Sequence, residues 1–444
     1  MRGELHYDAV VIGAGTAGLT AGARLAEGGA RVCVLAKGVG STHLAPGTID
    51  VLGYAPERVD SPLAAVPELI AARPDHPYAL VGLDAVTEAT TWLRTCADAG
   101  PLPGYRYVGD LQRNVLLPSA VGALRPSALV PETMAAGAAS TGGRVCVVGP
   151  RVLRDFHPSL CAANLSRAGI EARGMDVDIE VSRADENALG LARRFDDPAW
   201  RAGFAARLAL MLGADERVGV PAMLGLADPQ GAWSDLEHRL GRRVFEIPTL
   251  PPSVPGMRLF EILRAALRRG GGRLVMGAEV VGVERSGQSV TAVSTHAGGR
   301  DARYAAPWFV LAAGGFGSGA IELDSHWTTH DRVLGLPLHG VPAPGEPRFF
   351  ADYVAEQPMA RVGVAVDGAL RAEGADNVLV AGAALPGAVP WREASGEGIA
   401  LASGSSAAKS ILAEAGSSAR AGVGAGPAGA AGAAGPAGAA GAAA

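Results

Sequence analysis

Gly13, Gly15 and Gly18 stand at the spacing G-x-G-x-x-G, directly behind the apolar run "AVVI" (9–12) and ahead of an alanine- and leucine-rich stretch. In a strand–turn–helix unit the first glycine permits the tight turn, the second lets backbone approach a phosphate, and the third lets helix and strand pack closely. The helix start offers unpaired N–H groups and a partial positive charge of about 0.5, so an anion binds there. The chemistry implied is nucleotide binding. The next apolar run, Val32–Leu35, departs from the usual pattern. A carboxylate near its end normally holds an adenosine ribose, but the chain carries Ala36 and Lys37 at that point. Lys37 cannot accept a hydrogen bond, although it is a candidate for neutralising a phosphate. A dinucleotide loses one hold on its adenosine here, whereas a mononucleotide flavin has no adenosine to hold. The expected cofactor is therefore FMN, with FAD second.

The elements that must position this loop follow from periodicity. "AVVI" is continuously apolar, as for a strand covered on both faces. Thr16–Glu27 places Leu19, Ala23 and Ala26 on one side of a helix that Gly28 and Gly29 end. With Val32–Leu35 this makes a βαβ unit. "RVCVVG" (144–149) reads as a strand of a second module. Asp197 and Pro198 supply a cap and first residue for the helix that follows. The proline-rich stretch 248–256 crosses between modules, and "MRLFEILRAALRR" is an amphipathic helix. The stretch Tyr304–Ile321 carries no charge, but its proline and glycines make it a buried strand and glycine turn rather than a membrane span. "NVLVAG" (377–382) is a further strand, and 396–412 a last helix. From about Ala415 the composition collapses into Gly, Ala, Ser and Pro, and residues 426–443 repeat Gly-x-y six times. Too little can be buried there, so disorder is expected.

The expected architecture is α/β: a discontinuous Rossmann-like flavin-binding domain (1–115 and 255–412), an inserted second α/β module (116–254), and a disordered tail (413–444). A net charge of −5 over 444 residues gives no basic footprint for nucleic acid. The four cysteines, Cys33, Cys96, Cys146 and Cys161, form no C-x-x-C pair. Neither an iron–sulfur cluster nor a structural zinc is expected on them, and they read as core thiols of a reducing cytoplasm. Arg2, Glu4 and Asp8 precede any long apolar run, so no signal peptide is read at the N-terminus.

Further stretches bring a family into view. "KGVGSTHLAPGTIDVLG" (37–53) follows the second strand, and "GPRVLRDFHPSLCAANL" (149–165) sits in the middle module. "IPTLPPSVPGMRLFEIL" (247–263) opens the return to the nucleotide domain. "VLAAGGFGSGAIELD" (310–324) and "NVLVAGAALPGAVPWREASGEGIALASG" (377–404) resemble the later flavin motifs of the fumarate reductase-like flavoproteins. As an ordered set over residues 7–412, they resemble the B-subunit family of anaerobic glycerol-3-phosphate dehydrogenase. That family's last motif has a richer glycine cluster; here only Gly396 and Gly398 remain near "EASGEG".

The resemblance implies flavin-dependent oxidation of sn-glycerol 3-phosphate to dihydroxyacetone phosphate, with electrons passed to quinone. It implies two partners: a larger FAD-binding catalytic subunit, and a cysteine-rich iron–sulfur subunit that anchors the pair at the inner face of the cell membrane. It also implies FMN on the B-subunit. Candidate flavin contacts are Ser41, Thr42, Gly47, Thr48, Gly314, Gly315, Gly382, Gly396 and Gly398, besides the first glycine loop and Lys37. His43 is the candidate base for the substrate hydroxyl. A phosphorylated substrate needs a cationic clamp, for which Arg258 is the first candidate and Arg125, Arg151 and Arg154 are others. His157 beside Arg154 fits a hydrogen-bonding cluster better. A non-catalytic flavin relay or scaffold, and a related dehydrogenase for another substrate, are the alternative readings.

Overall fold

The computed structural model describes residues 5–179, 186–297 and 300–423. Five short parallel strands form the sheet that carries the glycine loop. We number them β1 (Ala9–Ile12), β2 (Val32–Ala36), β3 (Arg273–Met276), β4 (Trp308–Leu311) and β5 (Val378–Val380), and their order across the sheet is β3-β2-β1-β4-β5. The central strands register residue for residue, Ala9 against Val32 and Trp308 against Ala9.

Because strand side chains alternate, each apolar run feeds two cores. Ala9, Val11, Val32, Val34, Val310 and Leu379 point to one side. There they meet α1 (Thr16–Glu27), α2 (Pro77–Asp98), α3 (Val254–Arg269) and α4 (Gly396–Val423). Val10, Ile12, Cys33, Leu35, Phe309 and Val378 point to the other, against Val290 and Val293 of an antiparallel sheet. That sheet is built from strands Glu279–Ser286, Ser289–Ala297 and Arg300–Ala305, with the short strand Leu5–His6 added in parallel along the last of them. Double burial explains why β1, β2 and β4 read as unbroken hydrophobic runs rather than alternating ones.

A second parallel sheet joins Val244–Ile247, Glu216–Pro221, Arg144–Pro150 and Ala172–Val177, in that order. Its helices include Pro158–Arg167, Pro198–Ala209 and Pro229–Leu240, each with proline in its first turn. Asp197 caps the second of these by accepting from the Ala199 N–H at 2.9 Å, the cap read from the sequence. Residues 115–118 and 124–127 form a separate antiparallel hairpin. The next strand, Leu129–Pro131, pairs with Tyr107–Gly109, and Leu129 bridges to Ile49. This part of the segment that the sequence assigns to the second module thus packs against the nucleotide side. α4 continues past residue 412 to Val423. The Gly-x-y repeat expected to be disordered lies outside the described residues.

Candidate flavin site

The turn between β1 and α1 opens on a cavity of about 730 Å³. Gly13 has φ +112°, and a Cβ there would lie 2.2 Å from the Ala312 carbonyl oxygen. Only glycine allows this approach of β1 to β4. Gly18 packs against the Gly13 carbonyl, whereas nothing lies within 4 Å of a Cβ built on Gly15. Gly15 is the N-cap of α1 and makes no side-chain capping bond. An uncapped helix start thus faces a space that the protein leaves open, which is the arrangement a phosphate needs.

Gly13, Gly15, Lys37, Ser41, Gly314, Gly315, Gly382 and Gly396 all line this cavity. The other candidates lie behind its wall. Gly18 holds helix to turn. Thr42 is buried, its hydroxyl 3.4 Å from that of Thr16. A Cβ on Gly47 would meet Pro255 at 2.4 Å, so Gly47 seats the loop on the start of α3. Thr48 donates to Asp50 Oδ1 at 2.8 Å. Gly398 makes room for the Tyr78 hydroxyl, which a Cβ would approach to 2.3 Å.

The two residues expected to do chemistry do not reach the cavity. The His43 ring packs edge-on against Phe260 at 5.0 Å between centroids, and its buried Nε2 has no hydrogen-bond partner. Burial holds its pKa below the usual imidazole value, although Glu261 opposes this. Arg258 is 1% exposed. Its guanidinium donates to Glu246 Oε2 at 2.6 Å and Oε1 at 3.0 Å, and twice to the Gly225 carbonyl, at 2.8 and 3.1 Å. Its fork is spent on pinning α3 to the second module, not on a substrate phosphate. Arg151 pairs with Asp178 at 3.0 Å on the surface, and Arg154 and His157 are exposed away from the cavity. Of these arginines, Arg125 lines it.

The acid missing from β2 is present in space. The Ala278 N–H donates to the Ala36 carbonyl at 2.9 Å. This places the next residue, Glu279, beside Lys37, with Lys37 Nζ 3.0 Å from Glu279 Oε1. Arg332 reaches the same oxygen at 3.1 Å. Glu279, Lys37 and Arg332 all line the cavity, together with Leu35 and Val280. The cavity therefore extends from the glycine turn to the end of β2 and carries a carboxylate there. The ground for preferring FMN, a missing acceptor, does not hold in three dimensions.

At the other end the chain builds a second acidic cluster that the sequence did not reveal. Asp50 is 1% exposed. Its Oδ2 accepts from Arg125 Nε at 3.1 Å and Nη2 at 2.5 Å, and its Oδ1 from Ser127 at 2.6 Å and Thr48 at 2.8 Å. Just before α4, Glu393 accepts from His76, Arg73 and Ser395 at 3.1, 2.8 and 3.0 Å. Burial alone would raise its pKa, but His76 and Arg73 outweigh that and bring it down to about 2. These bonds fix the turn from which α4 starts. The first turn of α4 brings Gly396 and Glu397 to the cavity wall.

A parallel sheet with a glycine-rich turn and an open helix terminus facing a cavity is the architecture of a nucleotide-binding protein, and the family match that follows makes it a flavoprotein. The profile of the FAD binding domain family matches residues 8–387. A Pectobacterium atrosepticum protein, named as the B-subunit of anaerobic glycerol-3-phosphate dehydrogenase, is 32% identical over 433 residues, spanning 92% of this chain and 99% of that one. A Halobacterium salinarum protein, named as a probable B-subunit of the same enzyme, is 32% identical over 424 residues, 90% of this chain and 96% of that one. Among solved structures, Mycobacterium smegmatis Sdh1 aligns over 95% of this chain and 72% of its own at 12% identity, with a TM-score of 0.44. The chain belongs to the B-subunit family of anaerobic glycerol-3-phosphate dehydrogenase.

Proposed function

We propose that this chain holds FAD and takes part in oxidising sn-glycerol 3-phosphate to dihydroxyacetone phosphate, with the electrons leaving toward quinone. One observation carries the choice of dinucleotide: the cavity continues from the uncapped start of α1 to the Glu279–Lys37–Arg332 group. Glu279 is the acceptor for the ribose hydroxyls. The first turn of α1 takes the pyrophosphate, and the wall formed by Gly396, Glu397 and Arg125 faces the ring. The bound flavin supplies two-electron acceptance; the chain positions the alcohol and handles its proton. Arg125 is the candidate hold for the substrate phosphate, since its Nη1 makes no hydrogen bond among the described residues.

The names of the relatives support the substrate and a role within a larger assembly. On this reading the partners are a larger FAD-binding catalytic subunit and a cysteine-rich iron–sulfur subunit that docks the pair at the inner face of the membrane. Among the described residues no helix is long and apolar enough to cross a bilayer, which suits anchoring through a partner. The domains on this reading are a discontinuous flavin domain and an insert that returns at α3.

The test uses the purified chain without oxygen. Denaturation followed by chromatography is expected to release FAD; release of FMN alone overturns the dinucleotide assignment. Bleaching of the flavin by added glycerol 3-phosphate supports oxidation on this chain. A flavin that stays oxidised until the larger subunit is supplied assigns the chemistry there and leaves this chain the relay, a reading favoured by Arg125 being already paired with Asp50.

A further inference from the structure

Oxidation of a secondary alcohol breaks two bonds to hydrogen. The C–H electron pair would leave as hydride to the two-electron acceptor that a bound flavin supplies. The O–H proton needs an acceptor as the C=O bond forms. The cavity wall offers few groups able to take it. Its titratable residues are Lys37, Arg125, Glu279, Arg332 and Glu397, and among the described residues no His, Tyr or Cys joins them. Lys37 and Arg332 are cations paired with Glu279, and Arg125 is paired with Asp50. Glu279 is already assigned to the ribose in the function proposed above. Glu397 remains. From this we infer that Glu397 is the proton acceptor for the substrate hydroxyl, an inference that rests on the function proposed above.

The local construction fits that role. Gly398 donates its N–H to the Asp50 carbonyl at 3.0 Å, and its missing side chain lets the start of α4 press against Val51 and the Tyr78 hydroxyl. Glu397 is thereby held next to Asp50. The two carboxyls are treated differently. Asp50 is buried, takes four donors from Arg125, Ser127 and Thr48, and does not line the cavity. The Glu397 carboxyl makes no hydrogen bond to another of the described residues, and its neighbours on the wall include Pro390, Trp391 and Ile399. Burial and the adjacent Asp50 push its pKa up to about 8, with Arg125 pulling the other way. Tyr78 and Tyr107 also feel the Glu397 charge, which helps hold their hydroxyls protonated, and Glu393 lies four residues before it on the same approach. Carboxyls four residues apart are thus driven in opposite directions, the pattern that separates an acid–base group from a structural one.

The experiment compares the flavin-loaded wild type with E397Q and E397D. Two readouts are taken: the anaerobic rate of flavin reduction by glycerol 3-phosphate from pH 6 to 10, and the visible spectrum of the oxidised flavin over the same range without substrate. In the wild type the rate is expected to rise with pH through about 8, as the carboxylate form is populated, and the spectrum to shift with the same midpoint. E397Q is expected to keep its flavin, lose the spectral midpoint, and reduce at least about 100-fold more slowly with that inflection gone. E397D is expected to restore part of the rate and an inflection. If wild-type flavin is reduced and E397Q shows the same rate and profile, the Glu397 assignment is overturned alone. If wild-type flavin is never reduced by glycerol 3-phosphate, with or without the partner subunit, the substrate reading falls and the proton role falls with it.

Discussion

Replacing Arg258 by leucine separates a structural pin from a catalytic cation. In the folded chain this guanidinium makes four hydrogen bonds, two to Glu246 and two to the Gly225 carbonyl, and lies over the Tyr105 ring at 5.5 Å. Glu246 is itself 1% exposed and, among the described residues, keeps only Thr133 (2.7 Å) and the Leu224 N–H (2.9 Å) once the arginine is gone. Removing one partner of a buried pair leaves an uncompensated charge, a cost of about 3–5 kcal/mol. At about 2 °C per kcal/mol for a chain larger than the usual single domain, the melting temperature is expected to fall by roughly 6–10 °C. The double variant R258L/E246L removes both charges and is expected to recover most of that loss, because an apolar replacement of a buried ion pair is close to neutral. The assay is calorimetry or circular dichroism on the wild type and both variants, with flavin reduction measured per bound flavin. Both variants should reduce at near wild-type rates at temperatures where they are folded. An R258L chain that melts like the wild type but whose flavin glycerol 3-phosphate no longer reduces would refute this reasoning and return Arg258 to the substrate.

The two glycines of the turn are expected to fail differently. G13A meets the Ala312 carbonyl at 2.2 Å with φ at +112°, so it should destabilise the fold even without cofactor, read as a lowered apo melting temperature. G15V has open space in the protein and φ −72°, so the apo melting temperature should hold while flavin affinity, measured by equilibrium dialysis, collapses. E279A should weaken FAD about tenfold or more, one charge-assisted hydrogen bond being worth about 1.5 kcal/mol or above, and leave FMN binding unchanged; equal effects on both flavins would contradict the ribose role. Glu393 has its pKa lowered from 4.5 to about 2 when folded. Its contribution is therefore complete above about pH 5 and lost as the pH falls through that window toward 2, amounting to about 3 kcal/mol. E393Q should melt lower than the wild type at pH 7 and converge with it near pH 2.

What the sequence disclosed was local. Ala9–Ile12, the glycine turn and Thr16–Glu27 are contiguous, and each residue's role follows from its neighbours along the chain. The cavity-lining positions of Gly314, Gly315, Gly382 and Gly396 were also legible, because each ends a strand or opens a helix. Glu279 was not. It stands 242 residues from Lys37, and only the pairing of β3 with β2 brings it alongside. Glu397 sits between two glycines whose spacing speaks only of backbone. Its carboxyl acquires meaning from Asp50 and Arg125, which come from other parts of the chain. Arg258 looked available because it begins an amphipathic helix after a loop; its partner Glu246 sits on a strand of the second sheet, and no periodicity reports that contact. His43 followed serine and threonine in a loop, a pattern that says nothing about the Phe260 ring it turns toward.

The cavity is bounded by Gly13, Arg125, Glu279, Gly315 and Glu397, residues scattered from the first turn to the last helix. No single stretch of the chain can therefore form the receptacle alone: the βαβ unit supplies the phosphate turn, and the opposite wall comes from residues more than 300 positions away, at the start of α4.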